Sequence, residues 1–445
     1  MQNDLTSGNI WRTIVRFSLP YLLSYFLQTL YGMADLFIIG QFEGTASTTA
    51  VSIGSQVMHM ITVMIVGLAM GTTVGIGHAV GGKDNSRAAK IIGNTVVLFV
   101  GGAFALMAVL LCFVRPIVSV MSTPSEAVDG TAAYLIICFI GIPCITAYNV
   151  IASIFRGLGD SKSPMYFVAV ACAANIALDY LFIGALHMGA AGAALGTTLS
   201  QALSVVVSLV VILHRNADIK LQRCHFKPEK EILERILSVG VPVALQDGLI
   251  QVSFIIITII ANRRGLVDAA AVGIVEKIMS FMFLVPSSLL STVSALGAQN
   301  IGAGRKDRVE TILRYAVCMG VAFGTVMAIA VQFAALPAVG LFTTDTAVAV
   351  AGSQYLRGYI FDSLFGAVQF SFSGYFCAYG KSGLSFLHNI LSIVCVRVPG
   401  AYFASMLFPQ TLLPMGLASA CGSMFSVLIG LIAYAWLKKK TQADT

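Results

Sequence analysis

Twelve apolar stretches follow one another along the chain with little between them, and this pattern constrains the fold more than any other feature. A membrane-crossing helix needs about 20 mostly apolar residues. Stretches of that kind lie near 14–40, 48–78, 88–114, 131–153, 164–185, 189–213, 236–262, 269–297, 311–337, 347–376, 384–408 and 411–437. Only 11% of the residues are charged, under half the roughly 25% of a soluble protein. A soluble enzyme and a disordered chain are both excluded; the expected class is an all-α polytopic membrane protein with the bilayer as its main partner. Arg12 and Arg16 precede the first stretch, which runs past signal-peptide length without a small-residue cleavage site and is expected to stay as the first span. The nine cysteines are scattered, with no CxxC or Cys/His cluster, and predict neither a disulfide framework nor a zinc site.

The net charge of +7 is a matter of topology, not of nucleic-acid binding. Of the 27 Lys and Arg residues, 21 fall at the termini or in loops that follow even-numbered spans. They include Arg12, Arg16, Lys83, Arg87, Arg156, Arg305 and Lys438, with Arg215, Lys220, Arg223, Lys227, Lys230 and Arg235 in one central polar stretch. The opposite loops hold little beyond Arg115, Arg263 and Arg264. Positive charge is retained on the cytoplasmic side, which predicts cytoplasmic termini in a plasma-membrane protein.

The central stretch divides the chain into a first half (1–213), a linker (214–235) and a second half (236–445). The halves are related: a displacement of 221 residues brings Gly81 onto Gly302, Arg87 onto Arg308, Pro116 onto Pro337, Tyr134 onto Tyr355, Phe155 onto Phe376 and Gly159 onto Gly380. Pro20 meets Pro242 at a displacement of 222. Each half has an even number of spans, so the copies enter the membrane in the same sense, as parallel repeats with a cavity expected between them. That is transporter architecture.

Charged side chains in hydrocarbon cost about 2.5–3.5 kcal/mol each on insertion scales, so each needs a reason. In the fifth span Asn175 and Asp179 are four residues apart and share a helical face. Asp35 lies 15 residues after Pro20, where a kink would let the segment bearing it tilt. The sixth span opens with the small-residue run GAAGAALGTTLSQ, which permits close helix approach and contributes Thr197. Two carboxylates facing each other in a low dielectric cannot both stay ionised cheaply, so such a pair can take up and release a proton. The same oxygens could hold sodium, and polar glue between helices is the third reading. In the second half, Asp247, Gln251, Thr258 and Asn262 form a polar stripe, and Asp362, Gln369 and Ser373 share a face of the tenth span. With Glu276 and Arg397 they are candidates to line a substrate cavity. No P-loop or other catalytic motif is present, which predicts a non-enzyme without cofactor, driven by a proton or sodium gradient.

The stretches FSLPYLLSYFLQTLYGMADLFIIGQ (17–41), FRGLGDSKSPM (155–165), ANIALDYLFI with GAAGAALGTTLSQ, VGVPVALQ (239–246) and QNIGAGRKDR (299–308) together resemble the multidrug and toxic compound extrusion family over nearly the whole chain. The resemblance implies two six-helix lobes in a V and export of amphipathic, often cationic compounds in exchange for protons or sodium, by a monomer. The family's first-lobe ion-site pattern maps onto Asp35, Asn175, Asp179 and Thr197, with Tyr134 as a fifth member; the kink at Pro20 is read as the hinge. The second lobe departs from the pattern: Ile250 and Gln251 stand where some members have a Glu, and Gly366 where they have an Asp. Asp247 and Asp362 each lie about one turn earlier.

Two other transporter types share parts of this description. A lipid-linked oligosaccharide flippase of the same superfamily favours a basic cavity, whereas the candidates here are mainly acids. A major-facilitator permease carries a different motif after its second span, where this chain has GGKDNSR. A polytopic enzyme should cluster His with acids, and the six His are dispersed; a non-transporting scaffold is the remaining alternative.

Overall fold

The computed structural model describes residues 4–214 and 221–443, with side chains as far as 440, and contains no strand among the described residues. Arg215 and Lys220 of the linker lie outside the described residues. In the first half the helices are α1 (Ile10–Phe42), α2 (Thr45–Gly81), α3 (Asn85–Cys112), α4 (Val114–Val120), α5 (Val128–Ile140), α6 (Ile142–Gly157), α7 (Lys162–Asp179) and α8 (Gly189–His214). The second half has α9 (Lys230–Asn262), α10 (Leu266–Met282), α11 (Leu284–Gly302), α12 (Lys306–Gly340), α13 (Thr346–Tyr359), α14 (Phe361–Ala378), α15 (Ser382–Ser392), α16 (Val398–Leu407) and α17 (Leu413–Ala443). Two π-helical turns interrupt the pattern, Tyr180–Ala185 after α7 and Ile393–Arg397 between α15 and α16.

Among the described residues, ten helical stretches are long and apolar enough to cross a membrane, and the pair Ser125–Ile140 with Ile142–Gly157, bent by 50°, makes an eleventh. A shift of 221 residues carries that pair onto α13 and α14, which supply the corresponding span of the second half. The all-α, twelve-span, twofold-repeated fold expected from the sequence is therefore the fold observed.

Local sequence explains the turns. Asp84 caps α3 by accepting from the Arg87 amide at 2.9 Å, and Asp345 caps α13 by accepting from the Ala347 amide at 2.8 Å. In the GLGDSKS turn Asp160 accepts from the Lys162 and Ser163 amides, both at 3.0 Å, while Gly159 supplies a φ of +87°. Each such cap is worth about 1 kcal/mol.

The chain forms two compact units, and their boundaries fall inside helices at the two prolines. One unit comprises Met1–Leu5 and Leu19–Gly240; the other comprises Thr6–Ser18 and Val241–Thr445. The start of α1, before Pro20, thus belongs with the second half, and the start of α9, before Pro242, belongs with the first. Side chains at equivalent positions hold these lead-in segments. Asn94 of α3 accepts from the Glu229 amide at 2.7 Å and donates to the Lys227 carbonyl at 3.2 Å. Tyr315, at the corresponding position of α12, meets Trp11 edge to face at 5.9 Å, and the Arg305 guanidinium donates to the Thr6 carbonyl at 2.6 Å. Glycine makes the first of these crossings possible: a Cβ on Gly71 would lie 2.1 Å from the Ile236 carbonyl oxygen.

Each unit has its own apolar core. Ile38, Ile39, Val51, Leu135, Phe139 and Ile183 are among the core residues of the first, and Ile257, Val272, Met279, Tyr355, Tyr359 and Ile360 among those of the second. The polar residues described next are set into these cores.

Candidate functional site

Three helices of the first unit converge on a buried pair of acids. Asp35 projects from α1, Asp179 ends α7, and Thr197 stands in the third turn of α8. The Thr197 hydroxyl donates to Asp35 Oδ2 at 3.1 Å. Asn175, one turn before Asp179, and Asp179 itself are neighbours of the Asp35 carboxyl. All three are essentially sealed from solvent, with Asp35 3% exposed, Asn175 1% and Asp179 0%. Neither Asp179 oxygen, nor Asp35 Oδ1, has a conventional donor. A proton or a metal cation can join two carboxyls that face each other with no donor between them.

The small-residue run explains how the acids fit. A Cβ on Gly196 would sit 2.1 Å from Asp179 Oδ1, so only glycine leaves room for that carboxyl against α8. Immediately after Asp179 the helix widens into the π-turn Tyr180–Ala185, a distortion frequent at functional sites. Tyr134 is buried close to Asp35, and half-buried Tyr31 lies one turn earlier on α1, near Gln201 of α8. Tyr31 and Gln201 are members of this cluster that sequence reasoning missed; the four-residue spacing of Tyr31 from Asp35 was the available signal. Pro20 lies inside a continuous α1, and the Ser24 hydroxyl donates to its carbonyl at 2.8 Å. The oxygens of Asp35, Asn175, Asp179 and Thr197 form a hard-donor set of the kind sodium accepts; no group of three or more His, Cys, Asp or Glu suited to a metal occurs among the described residues.

In the second unit the residues singled out by the sequence separate into two groups. Asp362, fully buried at the start of α14, accepts a hydrogen bond from the Arg397 guanidinium. Arg397 ends the π-turn Ile393–Arg397 and stacks over Phe254 of α9 with its Cζ 5.3 Å from the ring centroid. Glu276 of α10 lies in the field of Arg397 and keeps one contact, Thr258 Oγ1 at 3.5 Å, while its Oε1 is buried with no partner. Asp362, Arg397 and Glu276 thus belong to one cluster.

Gln369 belongs to another cluster, with Asn389 as its hydrogen-bond partner. Around it His388, fully buried, bonds Ser426 at 2.7 Å and Ser373 at 3.3 Å, and Ser385 donates to Gln246 at 2.6 Å. Asp247 is beside Gln246 on α9, and Gln251 follows one turn later, half-buried. The His388 network is hidden in the sequence because its members come from four helices and no spacing links one helix to another.

The MatE family profile matches residues 20–181 and again 242–403, one copy in each half, with each copy beginning at the proline. The chain belongs to the MatE family. Members of this family are membrane transporters and not enzymes. Among its relatives, YpnP of Bacillus subtilis (strain 168) is 29% identical over 435 residues, covering 97% of this chain and 96% of that protein. The multidrug export protein MepA of Staphylococcus aureus (strain N315) is 25% identical over 440 residues, covering 98% and 96%. The solved outward-facing structure of a multidrug resistance MATE family transporter of the MOP superfamily superposes with a TM-score of 0.93 at 22% identity, covering 100% of this chain and 99% of that one. This MatE transporter therefore shares its whole fold, including the twofold repeat, with that structure.

Proposed function

We propose that this MatE transporter is a secondary antiporter that exports small amphipathic cations in exchange for protons. It acts as a monomer in the plasma membrane, with its termini and linker cytoplasmic and its two halves as lobes. The observation that carries the reading is the buried contact between Asp35 and Asp179, in which neither Asp179 oxygen nor Asp35 Oδ1 has a donor. A proton that joins them on one side of the membrane and leaves on the other couples a gradient to the tilt of α1 beyond Pro20. Relatives named for multidrug export support the substrate range, and the basic residues of the even-numbered loops support the orientation.

The test is efflux of a lipophilic cation from sodium-free proteoliposomes under an imposed pH gradient. Efflux driven by the pH gradient alone is the expected result. A second reading has an observation of its own: Asn175 Oδ1 is buried without a partner and adds a neutral oxygen to the set, as a sodium site requires. Strict dependence on added sodium in the same vesicles favours that reading over proton exchange.

A further inference from the structure

The second-unit cluster is built around a charge count. Asp362 and Arg397 form a buried ion pair, which contributes no net charge. Glu276 is left over: its Oε1 is buried and without a partner, and Oε2 has only the Thr258 hydroxyl at 3.5 Å. The remaining groups near Arg397 are the phenols of Tyr355 and Tyr359, which are neutral. Lys277 follows Glu276 in the chain but is exposed and turned away by about 100° of helix. Asp247 lies three turns from Thr258 along α9, roughly 16 Å away, and belongs to the His388 side. With both acids ionised the cluster carries one negative charge.

An uncompensated carboxylate in a low-dielectric setting either takes up a proton or meets a cation, whereas a carboxylate already held by a guanidinium needs neither. Asp362 Oδ1 is also buried without a hydrogen-bond partner, so it is the charge count that singles out Glu276: Asp362 is paired with a guanidinium and Glu276 is not. Arg397, clamped between Asp362 and the face of Phe254, is a fixed internal cation occupying the place that a second external charge would otherwise take.

We propose that Glu276, Asp362 and Arg397 form a substrate-recognition site of net charge −1, in which Glu276 receives the positive group of an organic monocation and Arg397 sets the valence by cancelling Asp362. This rests on the reading of the protein as an exporter of amphipathic cations and names the subclass it selects. Arg397 is a specificity determinant here because it decides how many positive charges the site accepts.

The test is a charge series measured by equilibrium binding to the purified full-length protein in detergent, with ethidium as the monocation probe and pentamidine as the dication. Glu276→Gln brings the count to zero and weakens ethidium by about tenfold or more, the scale of a close charge pair. Arg397→Gln brings it to −2 and raises the preference for pentamidine over ethidium by about tenfold. The decisive variant is Glu276→Gln with Arg397→Gln, which returns the count to −1 through a released Asp362. Its ethidium binding recovers to within about fivefold of wild type. A merely structural role predicts the opposite, because the double variant removes more of the buried network than either single one. Gel-filtration profiles establish that each variant is folded, and Glu276→Ala, which also brings the count to zero, replaces Glu276→Gln if that one aggregates. Wild-type ethidium binding in Glu276→Gln, or a double variant weaker than both singles, overturns the proposal while leaving the exporter reading in place. A wild-type protein that binds neither probe overturns both.

Discussion

The two halves share a fold and differ in where they place charge. Asp35, Asn175, Asp179 and Thr197 of the first half correspond in the repeat to Ile257, Val396, Gly400 and Ala418 of the second. There the site is closed by contact: a Cβ on Gly400 would meet the Ala418 Cβ at 3.2 Å. Conversely, Gln369, Ser373, His388, Asn389 and Ser426 of the second half correspond to Tyr148, Ala152, Phe167, Val168 and Val205, which pack as an apolar cluster in the first. Even the π-turns are out of register, one beginning after Asp179 and the other ending at Arg397. The duplication preserved helix lengths, turns and proline positions, which the bilayer and the backbone dictate, and left each half free to bury a different polar set. Parallel repeats therefore do not imply parallel sites.

The largest break in this comparison should come from the glycines that line the two equivalent places. Gly196→Ala drives a methyl group into Asp179 Oδ1 and should cut gradient-driven efflux by at least about tenfold, the scale of a displaced site group. Gly400→Ala should leave efflux within about twofold, since a 3.2 Å contact between two methyl-sized groups relaxes by a small shift. Efflux in vesicles matched for protein content measures both.

His388→Phe, which installs the first-half residue, should lower the stability of the second unit by about 2–4 kcal/mol, because Ser426 and Ser373 each lose a buried partner. Phe155 and Phe167 make an edge-to-face pair at 5.5 Å in the first half; Phe167→His should be similarly costly, for the opposite reason of burying an unpaired polar ring. Thermal denaturation in detergent reads both as a fall in Tm. A variant of either kind with unchanged Tm would mean that the two cores are interchangeable.

A smaller effect is expected at the loop after α9. Arg264 bonds Asp268 at 2.7 Å and the carbonyls of Ser405 and Pro409 at 2.8 and 2.9 Å, tying α9 and α10 to the end of α16. Arg264→Gln should cost about 1.5–3 kcal/mol, measured by the same melting experiment. Smaller still is release of a lead-in segment: Asn94→Ala should cost about 1 kcal/mol, and Tyr315→Ala a comparable amount through its edge-to-face contact with Trp11.

The parts of this molecule that follow a period are legible in the sequence. Apolar runs mark the spans, proline and glycine positions mark the repeat, and the four-residue spacing of Asn175 and Asp179 is enough to place both on one helical face. What depends on the meeting of distant helices is not legible. Arg397 and Asp362 are 35 residues apart on different helices, and nothing local pairs them. Gly196 is one small residue in a run of many; only the approach of Asp179 makes it particular. The lead-in segments are hidden for the same reason: a helix that begins in one compact unit and continues in the other, as α1 and α9 do, has no signature beyond its proline.

The central claim, that coupling resides in the first-half acids alone, is tested most directly by neutralising each in turn. Wild type, Asp35→Asn and Asp179→Asn are reconstituted at equal density in sodium-free vesicles, and ethidium efflux is followed after a pH jump. The account predicts that both variants insert and fold normally and lose pH-driven efflux by about two orders of magnitude or more. Efflux at the wild-type rate from either variant would contradict it.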